Sequence, residues 1–125
     1  MSKINVECVL ESSEGKHVYK GKALFKDGII TYDDHGVMTK IVLGDVIAVE
    51  RRKDYKMTLF FKQGQTIESD YITEHGTLCM SVKTLELVKE DNSFKIKYVL
   101  ILDDKSASTF LLNFKYSIDS DINYV

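Results

Sequence analysis

Hydrophobic alternation with a period of two residues runs through most of this chain and restricts it to a β-sheet fold. Side chains on a strand point alternately to opposite faces, so a half-buried strand alternates apolar and polar residues. The pattern begins at Ile4 and Val6 and is clearest from Phe94 to Leu102. Short polar turns such as Asp27-Gly28 separate the alternating segments, and an Asp-Gly pair is typical of two-residue hairpin turns. The chain therefore reads as a series of antiparallel hairpins.

The alternation changes phase in one segment. Met80 and Val82 share one parity, whereas Leu85 and Leu87 have the other. A β-bulge, which inserts one extra residue into a strand, would produce such a change. A single helical turn within VKTLELVKED is the alternative interpretation.

Short turns, one apolar face for each strand and the lack of a helical pattern predict an all-β fold. We expect a single antiparallel up-and-down β-barrel, and about 8 to 10 strands of mean length fit a chain of 125 residues. A β-sandwich is the alternative, because alternation does not reveal whether a sheet closes. The single domain is expected to span residues 1–125, with an acidic tail from about residue 117.

Composition and charge exclude several classes of protein. With 44% hydrophobic and 29% charged residues, the chain has the composition of a soluble globular protein. Its net charge of -2 disfavours whole-molecule attraction to nucleic acid or to an anionic membrane. The N-terminus lacks the apolar core of a signal peptide, and Cys8 and Cys79 are far apart in the sequence, which favours free thiols. We therefore expect a cytoplasmic protein, either monomeric or homodimeric.

Several segments together resemble a known bacterial family. They are Gly21, IITYDD (29–34), GDVIAVERR (44–52), MTLFF (57–61), YITEHGTLCMSVKTLEL (71–87) and FKIKYVLIL (94–102). With these segments the chain resembles the YwiB-like family of domains of unknown function. The resemblance implies a small calycin-like, lipocalin-type β-barrel from about Val6 to Tyr116, and it implies no reaction.

The residues that could perform catalysis do not form a known pattern. His17, His35 and His75 lack metal-ligand spacing and each lies near a glycine-containing turn, which predicts solvated side chains. The Asp33-Asp34 pair is likewise expected to be solvated at a hairpin tip. The glycines are isolated and form no phosphate-binding loop. The sequence predicts no catalytic residue, no metal site and no cofactor, and it favours a protein that is not an enzyme.

Arg51 is the leading candidate for a binding residue. It shares the parity of Ile47 and Val49, so a regular strand directs it to the apolar face. There it could bind a carboxylate or phosphate group, or its stem could pack over the barrel end with its head group in water. Small barrels can hold one ligand or be filled by side chains. We predict a small apolar or amphipathic ligand in the interior, with contacts from Arg51, Tyr32, Tyr71 and Tyr98.

The alternative hypothesis is an interaction module that uses its outer surface. The basic residues that could form this surface are Lys20, Lys22, Arg52, Lys53 and Lys56. They would bind a protein or a nucleic acid through a positively charged stripe. Because the aromatic residues of the second segment fall on its opposite face, a solvated lysine face is the simpler interpretation, and nucleic acid is disfavoured as a partner.

Overall fold

Ten antiparallel strands form nearly all of the computed structural model, which describes residues 1–103 and 105–118. The strands are β1 (Ser2–Ser12), β2 (Gly15–Lys26), β3 (Ile29–Asp34), β4 (Val37–Val42), β5 (Ile47–Arg52), β6 (Tyr55–Phe61), β7 (Thr66–Thr73), β8 (Gly76–Glu90), β9 (Ser93–Leu102) and β10 (Ser106–Ile118). Each strand pairs with the next, and β1 also pairs with β10. The predicted up-and-down barrel is confirmed, and the β-sandwich alternative is wrong because the sheet closes on itself.

The predicted acidic tail falls mostly on residues that the structure does not describe. Residues 117 and 118 still belong to β10, and residues 119–125 lie outside the described part of the chain. Within the described ranges, no helix has the length and apolar character needed to cross a bilayer.

Two hairpin turns use residues with positive φ. Asp27 and Gly28 have φ of 51° and 79°, and His35 and Gly36 have φ of 53° and 93°. Positive φ at both central residues is the requirement of a type I′ turn, whose twist matches that of the flanking strands. The predicted Asp27-Gly28 hairpin is therefore confirmed, and a second turn of this kind places His35 beyond the end of β3.

The change of phase in β8 is a β-bulge. The pairing of β8 with β9 shifts register between Thr84 and Glu86, which leaves Leu85 as the extra residue. The strand continues from Gly76 to Glu90 without a helical turn, so the bulge is confirmed and the helical alternative is wrong. The Gln63 side chain stabilises the bulge, because its amide donates to the Leu85 carbonyl at 3.3 Å and accepts from the Leu87 amide at 2.6 Å.

Side chains fill the centre of the barrel. Phe61 and Phe114 are fully buried. The ring of Phe61 meets Tyr98 at 4.7 Å between centroids, and Phe94 stacks on Phe114 at 5.0 Å. Such packing resembles that of an ordinary protein interior, so polar chemistry is concentrated nearer the ends of the barrel.

The barrel wall separates between β2 and β3. These strands pair only from Leu24–Lys26 to Ile29–Thr31, although β2 begins at Gly15 and β3 ends at Asp34. The remainder of β2 pairs with β1 alone, and the remainder of β3 pairs with β4 alone. Side chains therefore replace backbone hydrogen bonds in this part of the wall, which we call the β2–β3 opening.

Candidate functional site

A buried carboxylate lies at the β2–β3 opening. Only 2% of the Asp34 side chain is exposed, yet it contacts three potential donors. Its Oδ2 atom accepts from His17 Nε2 at 2.9 Å and lies 3.2 Å from Arg51 Nη2, and its Oδ1 atom accepts from His35 Nδ1 at 2.7 Å. We call these four residues the Asp34 cluster.

Strand direction brings the cluster together. In an up-and-down barrel alternate turns lie at the same end, so the turns that follow β1, β3 and β5 are neighbours. His17 lies near the first of these turns, Asp34 and His35 at the second, and Arg51 near the third. In β3, Ile30, Tyr32 and Asp34 are buried in alternation, which directs Asp34 inward.

The prediction that both aspartates are solvated is wrong for Asp34. Asp33 is exposed, and its Oδ1 atom accepts a hydrogen bond from the Gly36 amide at 2.6 Å, which stabilises the turn. Asp34 has the opposite parity and therefore points into the barrel. The shared parity of Tyr32 and Asp34 is the sequence signal that could have identified it.

The histidines divide into two groups. His17 and His35 are exposed over 48% and 72% of their side chains, and both contact Asp34. His75 is 87% exposed beside Glu74, at a different turn. Solvent exposure agrees with the prediction, but the shared contact with Asp34 was missed because the two residues come from different hairpins.

The hydrogen bonds of Asp34 keep it ionised. Burial raises the pKa of the Asp34 carboxyl, while the hydrogen bonds from His17 and His35 and the charge of Arg51 lower it. The lowering effects are larger in sum, so the pKa lies below its usual range. Asp34 is consequently a carboxylate at neutral pH, and it compensates the buried part of Arg51.

Three more polar side chains lie inside the barrel close to this cluster. The Tyr32 hydroxyl and the Cys8 thiol are hydrogen-bonded to each other. Burial raises the pKa of the Cys8 thiol to about 11, and burial also raises the pKa of Tyr32 and of Tyr98. All three are therefore neutral at physiological pH, and within the described residues Cys8 and Cys79 form no disulfide.

Most of the predicted ligand contacts lie in one row across the sheet. Directly paired residues form the row Tyr32, Thr39, Arg51, Met57 and Tyr71. Paired residues project to the same face of a sheet, so Arg51 has Tyr32 on one side and Tyr71 on the other. Tyr71 stacks on Tyr55 at 5.7 Å, and Tyr98 lies on another part of the wall, paired with Thr84 and Phe110. That Arg51 and the tyrosines Tyr32, Tyr71 and Tyr98 contact a ligand stays a prediction.

Arg51 has a buried donor that is not used. Its Nε atom is buried and has no hydrogen-bond partner in the described part of the chain, although 20% of the side chain is exposed. Leaving such a donor unpaired costs roughly 1–3 kcal/mol. This atom therefore marks a position where an acceptor would be stabilising.

A groove lies on the outer surface along the β2–β3 opening, with a volume of about 450 Å³. Its lining residues are Lys3, Lys22, Ala23, Leu24, Thr31, Tyr32, Asp33 and Met38. This volume lies within the range of small-molecule sites. A groove of about 430 Å³ on another part of the wall includes Glu11, Glu86 and Lys95 but no member of the Asp34 cluster. The first groove is therefore the better candidate for a ligand site, because Tyr32 lines it and also belongs to the buried polar residues inside the barrel.

An aromatic stack bridges the opening. Tyr19 of β2 stacks on Tyr32 of β3 at 4.4 Å, and its hydroxyl donates to the Lys22 carbonyl at 2.7 Å. Gly21 provides the space, because a Cβ atom there would lie 2.8 Å from the Tyr19 hydroxyl oxygen. The stack substitutes for the hydrogen bonds that β2 and β3 do not make.

We predict that Gly21→Ala lowers the free energy of unfolding by about 1–3 kcal/mol, because the new methyl group displaces the Tyr19 ring. Urea unfolding followed by tyrosine fluorescence measures the change. Gly44→Ala is the control, since its nearest contact is an ordinary 3.5 Å to the Val46 carbonyl. Equal stability of the two variants would contradict a stabilising role for the Tyr19–Tyr32 stack.

The predicted basic surface is divided by acidic residues. Lys20 pairs with Glu7 across the β1–β2 ladder. On β5 and β6, Arg52 and Lys56 lie 3.7 and 3.5 Å from the same carboxylate, that of Glu50. Lys22 and Lys53 complete the set, Lys22 on β2 and Lys53 in the turn after β5. A partner for this surface stays a prediction.

Comparisons with known proteins identify the fold and the family. A family model described as Domain of unknown function (DUF1934) matches residues 5–114. The crystal structure of the ywiB protein from Bacillus subtilis is similar with a TM-score of 0.55, and the match covers 92% of this chain and 90% of that one. The two sequences are 15% identical, so this similarity concerns the fold alone. No curated protein matches the sequence.

Proposed function

Because this chain belongs to the family described as Domain of unknown function (DUF1934), we propose a function from its own side chains: it binds a small amphipathic ligand and is not an enzyme. The ligand carries a carboxylate or carbonyl oxygen and an apolar body. It binds at the end of the barrel that holds the Asp34 cluster. As part of the same proposal, the protein acts in the cytoplasm.

The buried Nε atom of Arg51 is the observation that carries this proposal. Asp34 already engages Nη2, so the guanidinium is held in one orientation. An oxygen acceptor from a ligand would satisfy Nε with a charge-assisted hydrogen bond. Asp34 thus positions Arg51, and Arg51 binds the ligand.

The burial of the central side chains supports a ligand site near the end of the barrel rather than at its centre. The central rings of Phe61 and Phe114 leave no exposed surface, whereas Tyr19 and Tyr32 stack at the β2–β3 opening. An apolar ligand body fits against these rings and along the adjacent groove. The tyrosine rings therefore provide apolar contact with the ligand, and the hydrogen bond from Arg51 fixes the orientation of the ligand.

The protonation states favour binding over catalysis. The lowered pKa of Asp34 and its three donors make it a weak general base. The Cys8 thiol, with its pKa raised to about 11, is a poor nucleophile at neutral pH. These two groups would stay in one protonation state throughout ligand binding and release.

The experiment has two steps and uses the full chain. Native mass spectrometry of the freshly purified protein, compared with its denatured mass, detects a ligand that copurifies. Calorimetric titration with octanoate and with octylammonium then compares an acceptor head group with a donor head group on the same apolar chain. We expect octanoate to bind more tightly, because Arg51 Nε needs an acceptor.

Arg51→Lys is the diagnostic variant. Lysine keeps a positive charge beside Asp34 but lacks the Nε donor of the guanidinium. We expect octanoate affinity to fall about 10- to 100-fold, which corresponds to the 1.5–3 kcal/mol of a charged hydrogen bond. Arg52→Lys is the control, since Arg52 is 59% exposed and pairs with Glu50. A clean apo mass together with equal affinity for octanoate and octylammonium would overturn the proposal, as would an unchanged Kd in Arg51→Lys.

A further inference from the structure

The Asp34 cluster contains a second set of ligand atoms that the proposed function does not use. His17 Nε2, His35 Nδ1 and a carboxylate oxygen of Asp34 all lie within 4.8 Å of one another. Two strands and a turn contribute the three side chains, so their convergence depends on the fold. They face the solvent side of Asp34, because both imidazoles are substantially exposed.

These distances are close to those of a metal site. Donor atoms around a tetrahedral ion with bonds of about 2.0–2.2 Å lie roughly 3.3–3.6 Å apart. The observed limit of 4.8 Å exceeds this by about 1.2–1.5 Å, which rotation of two exposed imidazole rings can supply. The rings are inclined at 73° with centroids 5.9 Å apart, so they meet edge to face rather than stack.

We propose that His17, Asp34 and His35 bind one divalent transition-metal ion of the Zn²⁺ type. Two imidazole nitrogens and one carboxylate oxygen are a donor set that zinc uses when a fourth position stays open. Magnesium and calcium prefer oxygen ligands, so two nitrogens select against them. The open position faces solvent and would hold water.

Arg51 has a positioning role in this site. With Nη2 near Oδ2 at 3.2 Å, it leaves Oδ1 of the same carboxylate for the metal. Each imidazole now donates a hydrogen to Asp34, so metal binding requires the tautomer that carries its hydrogen on the other ring nitrogen. In each ring one N–H bond breaks and another forms on the second nitrogen by proton exchange with water, and no oxidation is involved.

The surrounding charges limit the affinity. Arg51 and Lys53 are cations near the site, the Lys53 ammonium lying 3.8 Å from the position of a Cβ atom on Gly36. Asp33 contributes a negative charge from the same turn. Because the cations nearly balance Asp33 and Asp34, the site relies on its two imidazoles and favours zinc-like ions over ions held by charge alone.

Titration of the metal-free full chain with Zn²⁺ and then with Co²⁺ tests this site. Isothermal calorimetry should give one Zn²⁺ per chain and no binding of Mg²⁺. Co²⁺ should produce the visible absorption bands of a four- or five-coordinate ion without a thiolate charge-transfer band.

Histidine variants identify the ligands. His17→Gln and His35→Gln should each weaken Zn²⁺ binding by more than about 10-fold, since losing even an outer-shell partner has an effect of that size. His75→Gln is the matched control, because the His75 side chain is exposed and pairs with Glu74 at a different turn. Thermal unfolding of the metal-free variants checks that they fold.

A measurement on the unmodified protein does not depend on variants. Paramagnetic Co²⁺ should broaden the NMR signals of two of the three histidine rings and leave that of His75 sharp. Absence of saturable binding, a thiolate band, or equal losses in all three histidine variants would overturn the metal site. Octanoate is left out of these titrations, so the result is independent of the proposed ligand at Arg51.

Discussion

Asp34→Asn is expected to lower the free energy of unfolding at pH 7 by about 3 kcal/mol. Removing one charge of a buried pair costs roughly 3–5 kcal/mol, and the lower value applies because His17, His35 and Arg51 can partly reach water. The adjacent Asp33→Asn variant is the control. Asp33 is exposed, and an asparagine oxygen can still accept from the Gly36 amide, so its change should stay within about 0.5 kcal/mol.

The loss in free energy of unfolding caused by Asp34→Asn should also depend on pH. The pKa of Asp34 is lower in the folded state than the value of about 3.9 expected in the unfolded chain. Its stabilising contribution is therefore complete above that value and is lost as the pH falls through the lower, folded-state pKa. Urea unfolding of the wild type and Asp34→Asn should show a large difference at pH 7 that shrinks below about pH 4. A difference that stays the same from pH 7 to pH 3 would mean that the carboxylate charge is not its source.

Phe61→Ala is expected to lower the free energy of unfolding by about 3–5 kcal/mol, because it opens a cavity in the filled centre of the barrel. Phe61 is fully buried and packs edge-on against Tyr98. Phe60→Ala is the control, since this neighbour in β6 has the opposite parity and is only partly buried. We expect it to cost about 1 kcal/mol. Urea unfolding of both variants checks the difference.

The Phe61 result also bears on where a ligand binds. A cavity lined by apolar residues stays dry and binds small apolar molecules such as benzene. Benzene should therefore raise the melting temperature of Phe61→Ala and leave the wild type unchanged. Equal responses in the two proteins, or equal stability of Phe61→Ala and Phe60→Ala, would mean that the centre is loosely packed. The ligand would then belong at the centre rather than at the β2–β3 opening.

The two proposed sites share Asp34 but use different chemistry. Arg51 Nε is a donor for an oxygen acceptor, whereas His17 and His35 supply lone pairs to a cation. Asp34 would hold Arg51 through one oxygen and a metal ion through the other. Mutation of Asp34 should therefore weaken both, whereas His35→Gln removes one metal ligand and keeps the contact between Arg51 and Asp34.

Local pattern determined the strands and their inward faces. Alternation is a property of the extended backbone, so it can be read without knowledge of distant residues. A change in its phase correctly indicated the bulge at Leu85, and the Asp27-Gly28 pair, also a local signal, correctly indicated the hairpin. Alternation also placed Arg51 on the face shared with Ile47 and Val49, where the structure has it only partly exposed.

Tertiary structure alone decided closure, the β2–β3 opening and the Asp34 cluster. Closure depends on the pairing of β1 with β10, which no local pattern records. His17 and Asp34 are separated by 17 residues, and their contact requires that β2 and β3 diverge after a few hydrogen-bonded pairs. Parity determines which face a side chain occupies, but only the long-range register determines which side chain it meets there. The sequence by itself thus determined a series of strands with an inward arginine, and the closed barrel determined that this arginine meets a buried carboxylate between two histidines.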